Sequence, residues 1–195
     1  MKIKKYFKRL LIKLLKNDPE IQELIREITN IEATAPAVQQ SPVVKQAPAS
    51  TDPLRQQLAS ELHLLALLKN DQELCDDWLG QLANTEGEQL LQLVAVSAQW
   101  ERILHLWDFL ASRCKREQRA STQEEQALLA GSIAIHNLIW RDKAACLYSA
   151  ELNAAFDYQQ HERATPKGDT VMEIWLFGLK NPAGKIQKNT LVQTR

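Results

Sequence analysis

Phe156, Asp157, His161 and Glu162, gathered in the stretch FDYQQHE, come nearest in type and spacing to residues that do chemistry. A histidine beside a glutamate can serve as an acid–base dyad. Such a dyad needs loops that wall a pocket around it, and the surrounding sequence supplies none. The expectation is therefore structural: Asp157 caps a turn, His161 hydrogen-bonds across it, and the four residues fix a junction. His63, His105 and His136 are scattered and form no HxxxH or HExxH pair. Cys114 with His136 or Cys146 offers metal-binding atoms if two helices bring them together. All three sit on apolar stripes, which favours core packing, so no metal is expected. No local Ser-His-Asp or Cys-His arrangement is present, and six dispersed glycines build no phosphate loop. Asp76-Asp77 and Glu124-Glu125 read as surface or capping acids of helices. The chain is expected to be neither an enzyme nor a cofactor carrier.

The elements that must position these residues follow from composition and periodicity. The 195 residues leave room for one ordinary domain with a tail or small appendage. Net formal charge is zero, but residues 1–16 hold seven basic side chains and no acid. That leaves 17 basic against 24 acidic side chains in the remainder. An acidic body lacks the basic face that phosphate contacts need, so no nucleic-acid partner is expected. Cys75, Cys114 and Cys146 are odd in number, far apart and outside any CxxC spacing. They read as thiols in helix interiors of a protein kept in a reducing cytoplasm. No apolar run reaches the roughly 18–20 residues that cross a bilayer, and no cleavable secretory signal is expected.

Four segments are expected. Residues 1–32 form a basic amphipathic start, with Ile3, Phe7, Leu10, Leu11 and Leu14 at helical spacing among lysines. Residues 1–16 suit peripheral contact with the inner membrane surface, or with an acidic partner. Residues 33–53, rich in Ala, Pro, Gln and Ser, form a flexible linker. Residues 54–153 are helical. Leu54, Leu58, Leu62, Leu65 and Leu68 make one stripe, and a shorter piece carries Leu74, Cys75, Trp78 and Leu82. Thr85 with Glu88, and Ser121 with Glu124, have the spacing of capping boxes. Between them Leu93, Val96, Trp100, Ile103, Trp107, Leu110 and Cys114 alternate by three and four, as one heptad seam. The following helix carries Leu128, Ile135, Leu138, Ile139 and Cys146. The two form an antiparallel hairpin, completed by the 54–82 segment or by a second copy of the chain.

Residues 154–195 form a small β domain. Val171 to Leu179 is a strand apolar on both faces, and Asn181-Pro182-Ala183-Gly184 has the residue order of a type I turn. A second strand alternates Ile186, Lys188, Thr190 and Val192 with Lys185, Gln187, Asn189 and Leu191. Its open, polar, basic face is the surface expected to meet a partner. The fold class is thus mainly α, a helical hairpin or four-helix bundle followed by a compact β unit.

FDYQQHE resembles the FDPxxHEA signature at the helix-to-β junction of the GrpE family, the nucleotide exchange factors of DnaK-type heat-shock chaperones. That family's strand pattern TVxEVxxxGY is met by Thr170, Val171, Glu173, Ile174 and Gly178, with Leu179 in the tyrosine position. Its RPAxV is matched by Lys188, Asn189, Thr190, Leu191 and Val192 after one extra turn residue. ILHLWDFLASR is similar to LLPVLDNLERA and sets Asp108 on its aspartate, while Gly131 falls on a helix-borne glycine. The likeness covers residues 100–193. Tyr158, Arg163, Lys188 and Asn189 depart from the signatures, and no AEFEN-type motif is present.

The resemblance implies a divergent, homodimeric co-chaperone of protein folding and the stress response. It would bind the ATPase domain of a DnaK-type (heat-shock 70 kDa) chaperone and promote ADP release. Glu173, Lys185 and Lys188 are then the implied polar contacts, with Phe177 and Leu179 as apolar ones. Leu93, Trp100, Ile103, Trp107 and Leu110 become the bundle or dimer seam. The alternative is an exchange-inactive adaptor that recruits a chaperone, or another protein, to a membrane or complex.

Overall fold

The computed structural model describes residues 52–140 and 142–195. The amphipathic start expected over 1–32 lies outside the described residues, as does most of the 33–53 linker. The linker's last residue is already structured. Pro53 opens helix α1 (Pro53–Gln57), whose cap Asp52 accepts the Leu54 N–H at 3.0 Å. Helix α2 (Ala59–Asn70) and helix α3 (Gln72–Trp78) meet at Asp71, whose carboxylate accepts the Leu74 N–H at 3.1 Å and caps α3.

The heptad seam does not ride on one helix. Helix α4 (Glu86–Ser97) starts at the Thr85–Glu88 capping box and ends before Gln99, and helix α5 (Trp100–Glu117) starts afresh. The Ala98 carbonyl, left without an intrahelical partner at the break, accepts from His136 Nδ1 at 3.0 Å. Helix α6 (Gln123–Asn137) carries that histidine. Its capping box is Thr122 with Glu125, one residue later than Ser121 with Glu124. Ser121 is otherwise engaged: both its N–H and its hydroxyl donate to the Trp175 carbonyl, at 2.8 and 2.6 Å. Helix α6 also stops earlier than expected. Leu138 and Ile139 lie beyond its end and are exposed.

The 54–82 segment completes the bundle within the chain. Leu64, Leu65 and Leu68 of α2 and Leu74, Cys75 and Trp78 of α3 share one buried cluster with Leu93, Ile103, Trp107, Leu110, Leu128 and Leu129. Each such side chain contributes about 1.5–3 kcal/mol of burial. Gly131 of α6 lies against the Leu64 side chain, which brings α2 and α6 close. Beside this core Arg113 is buried among Asp71, Glu73 and Glu125, and Arg119 grips Glu125 at 2.8 Å. Asp71 therefore caps α3 and pairs with α5 at once.

The β unit begins earlier than residue 154. Strand β1 (Cys146–Tyr148) lies in the stretch expected to end the last helix, and Cys146 is an exposed strand residue, unlike the buried Cys75 and Cys114. Strands β2 (His161–Arg163), β3 (Val171–Leu176), β4 (Gly178–Lys180), β5 (Ile186–Lys188) and β6 (Thr190–Thr194) follow. They form two three-stranded sheets, ordered β1-β4-β5 and β2-β6-β3. In the second, β2 runs parallel to β6 and β3 antiparallel to it. Each of the two long strands expected from sequence is thus a pair of short ones. The chain crosses between sheets at Phe177 and again at Asn189. This explains why Val171 to Leu179 is apolar on both faces: Val171 and Leu176 fill one sheet, and Leu179 the other. Trp175, Leu176, Leu179 and Leu191 join the helical core, while Ala150, Val171 and Val192 form a small second cluster with Phe156 and Ile174.

Candidate partner-binding surface

The FDYQQHE stretch folds as a tight turn leading into β2. Asp157 Oδ1 accepts the Gln159 N–H at 2.8 Å, and Oδ2 accepts the Gln160 amide at 3.0 Å. These donors hold the Asp157 carboxyl below the usual carboxylate range. The Asp157 N–H donates to His161 Nδ1 at 3.1 Å, and the His161 N–H returns to the Asp157 carbonyl at 2.7 Å. Phe156 stands edge-on to Tyr158 with centroids 4.9 Å apart, and the Arg163 guanidinium lies 4.2 Å from the Phe156 ring centre. Neighbouring residues of a strand face opposite sides. His161 accordingly turns into the joint, whereas Glu162 turns to Lys115 of α5 and pairs with it. The two do not form an acid–base dyad.

Helix α5 is the post on which the sheets stand. Trp107 Nε1 donates to the Phe177 carbonyl at 2.7 Å, at the point where the chain changes sheets. Lys188 of β5 reaches Asp108 with Nζ–O distances of 2.6 and 2.7 Å. With the Glu162–Lys115 pair and the Ser121–Trp175 bonds, these ties fix the β unit along one side of α5.

The five contact residues implied by the resemblance separate on this scaffold. Glu173 is exposed and accepts from the Trp175 indole at 3.0 Å. Lys185 is exposed just after the turn, where Gly184 N–H donates to the Asn181 carbonyl at 2.8 Å. Phe177 is half-buried. Leu179 is fully buried in the core and is not a surface contact. Lys188 is mostly covered and committed to Asp108, so it belongs to the joint with the helix and not to an open face. Leu93, Ile103, Trp107 and Leu110 are buried within the chain's own core, and Trp100 is half-buried. Four of the five seam residues are thus occupied within the chain, and Trp100 alone keeps part of its surface exposed.

Sequence reasoning missed two features. The Arg113 cluster was hidden because its partners lie on two other helices, Asp71 and Glu73 with α3 and Glu125 on α6. Leu138 and Ile139 fit the helix stripe by spacing, but both are exposed, as is Trp140 beside them. A signal existed, since Asn137 is a poor helix-interior residue and a plausible stop. Among the described residues no group of three or more His, Cys, Asp or Glu could hold a metal ion, and no helix is long and apolar enough to cross a membrane. No protein-family model matches the chain, and no curated protein or solved structure is similar to it.

Proposed function

We propose that this chain is a GrpE-like co-chaperone that binds the ATPase domain of a DnaK-type chaperone and promotes ADP release. The observation that carries the reading is that residues scattered along the motif work as one joint. Phe156, Asp157 and His161 close the turn, Glu162 reaches α5, and Asp108 meets Lys188 across the same helix. Glu162 and Asp108, two positions of the resemblance, thereby help to set the two sheets on the helical body. The reading needs no covalent chemistry. A protein that prefers the open nucleotide cleft shifts the chaperone toward it only by its differential affinity for the two states. A preference of about 4 kcal/mol would amount to roughly a thousand-fold shift.

Glu173 and Lys185, both exposed, are the polar contacts of this reading, and Phe177 is the apolar one. A homodimer, which the same reading includes, would use a surface other than the buried seam. The protein would act in the cytoplasm beside its chaperone. The adaptor reading has one observation of its own in favour: Leu179 and Lys188, two of the five implied contacts, are occupied within the chain.

Stopped-flow release of fluorescent ADP from the DnaK-type chaperones of the same organism tests the proposal. Acceleration by the full chain, lost in the Glu173→Ala/Lys185→Ala double variant, is the expected result. Binding without acceleration would favour the adaptor, and neither binding nor acceleration would overturn both readings.

A further inference from the structure

Leu138, Ile139 and Trp140 expose 75%, 62% and 47% of their surfaces in an unbroken run. Three adjacent large apolar residues facing solvent carry a hydration cost that a fold ordinarily avoids unless the surface binds something. The run is held rigidly. Trp140 N–H donates to the Asn137 carbonyl at 3.0 Å. The Asn137 side chain closes the base of the loop by exchanging two 2.9 Å bonds with the Ala145 backbone.

Trp140 forms one wall of a groove of about 430 Å³, lined also by Trp100, His136, Lys143, Asn181, Pro182 and Ala183. The aromatic wall is pre-built. A carbonyl can only accept, so His136 Nδ1 donates to Ala98, and Nε2 takes the Trp140 indole N–H at 3.1 Å. The Trp100 and His136 rings lie 5.3 Å apart, and His136 and Trp140 6.2 Å. The opposite lip is equally fixed, because Asn181 Oδ1 accepts the Ala183 and Lys185 N–H groups at 3.1 and 3.0 Å. Little ordering entropy remains to be lost on binding.

Charge selects the occupant. Lys143 is the one charged side chain among the described lining residues, and Lys180 and Lys185 stand at the two roots of the Asn181–Gly184 turn. Among the described residues no carboxylate lines the groove. This basic, aromatic cleft sits on a chain whose residues beyond the first sixteen carry an excess of acid. We propose that the groove binds an extended acidic segment of a partner protein. A proline or aliphatic side chain would lie against the wall formed by Trp100, His136 and Trp140, with a carboxylate meeting Lys143. Aromatic-lined grooves favour such extended, proline-bearing segments because their backbone is already ordered. The proposal does not rest on the co-chaperone reading, although Lys185, a contact of that reading, borders the groove.

The test uses the full chain and two fluorescein-labelled, blocked peptides, Glu-Leu-Pro-Glu-Leu-Pro-Glu and its counterpart with lysine for glutamate. Fluorescence anisotropy should show the acidic peptide binding about tenfold or more tightly than the basic one, a difference of about 1.4 kcal/mol. Lys143→Glu should abolish that preference, and Trp140→Ala should weaken the acidic peptide about tenfold. Lys143 is exposed, so melting of Lys143→Glu followed by circular dichroism should stay unchanged. Trp140→Ala gives up its bond to His136 and should melt slightly lower, but an unchanged spectrum at the assay temperature separates lost binding from lost folding. Equal affinity for the two peptides, binding of neither, or binding indifferent to Trp140→Ala would overturn the proposal. Self-association abolished by Trp140→Ala, with neither peptide bound, would overturn it too and assign the groove to a second copy.

Discussion

The helical body and the β unit are held together by different means. In the helices, α2 to α6 share a contiguous apolar core, and a buried arginine cluster pins α3 and the start of α6 to α5. The β unit has only Ala150, Val171 and Val192 as a separate buried cluster. It relies otherwise on the helical core, on ties to α5 through Trp107, Lys115 and Asp108, and on Ser121 in the loop that follows α5. Its own cluster is small, and Trp175, Leu176, Leu179 and Leu191 are buried against the helices instead. The helices are therefore the foundation, and the β unit is a surface mounted on it. Damage to the foundation should cost both regions, whereas damage to the mount should stay local.

The largest expected effect is at Arg113. Replacing it with alanine leaves Asp71 without its partner and Glu125 with Arg119 alone, at a cost of about 3 kcal/mol in urea unfolding. Helical and strand signals should fall together. The same cluster sets the acid limit. The Arg113 hydrogen bond holds the Asp71 carboxyl below the usual carboxylate range. For Glu125, burial pushes the carboxyl up, but the bonds from Arg119, the Thr122 N–H and Arg113 outweigh it and leave it lowered. Depressed carboxylates contribute stability that is complete above the ordinary carboxylate range, about pH 4. That stability is lost as pH falls through their lower folded values. A melting curve against pH should drop there in the native chain and more shallowly in Arg113→Ala.

Gly178→Ala sharpens the contrast from the other side. A Cβ on Gly178 would meet the Tyr148 ring and lie 2.8 Å from the Lys188 carbonyl oxygen. The crowding should cost about 1–3 kcal/mol, and amide exchange should quicken in β1, β4 and β5 while the helices remain protected. Simultaneous loss of helical protection would show that the two regions are one cooperative unit. Lys188→Ala should cost less, about 0–1 kcal/mol, because its pair with Asp108 is partly exposed. A larger loss would mean that the mount contributes to the foundation.

The smallest expected effect involves no loss of stability. Ellman's reagent should label Cys146 rapidly, and Cys75 and Cys114 only on unfolding. Burial pushes the Cys114 thiol up to about 11, which slows its reaction further.

Helix starts were legible where the chemistry is local, as at Thr85 with Glu88. At the next start two overlapping patterns, Ser121 with Glu124 and Thr122 with Glu125, fit equally. A contact with Trp175, more than fifty residues away, decides between them. The break after Ser97 carries no glycine or proline, and its reason lies in His136 on another helix. Strand alternation records which face is apolar but not which sheet owns it, so the crossings at Phe177 and Asn189 were invisible. Glu173 and Lys185, polar by type, are exposed, while burial of Leu179 in the core and capture of Lys188 by Asp108 depend on contacts between distant segments that no local pattern records. Strand β1 was hidden because three residues, Cys-Leu-Tyr, are too short to show a period.

The most direct test of the co-chaperone reading is the affinity of the full chain for the chaperone's ATPase domain in two states, nucleotide-free and ADP-loaded, by titration calorimetry. Exchange by differential binding predicts affinity for the nucleotide-free form that is hundreds-fold to a thousand-fold higher, about 3–4 kcal/mol. Equal affinity for the two forms would contradict it, because a ligand that binds both states alike shifts neither.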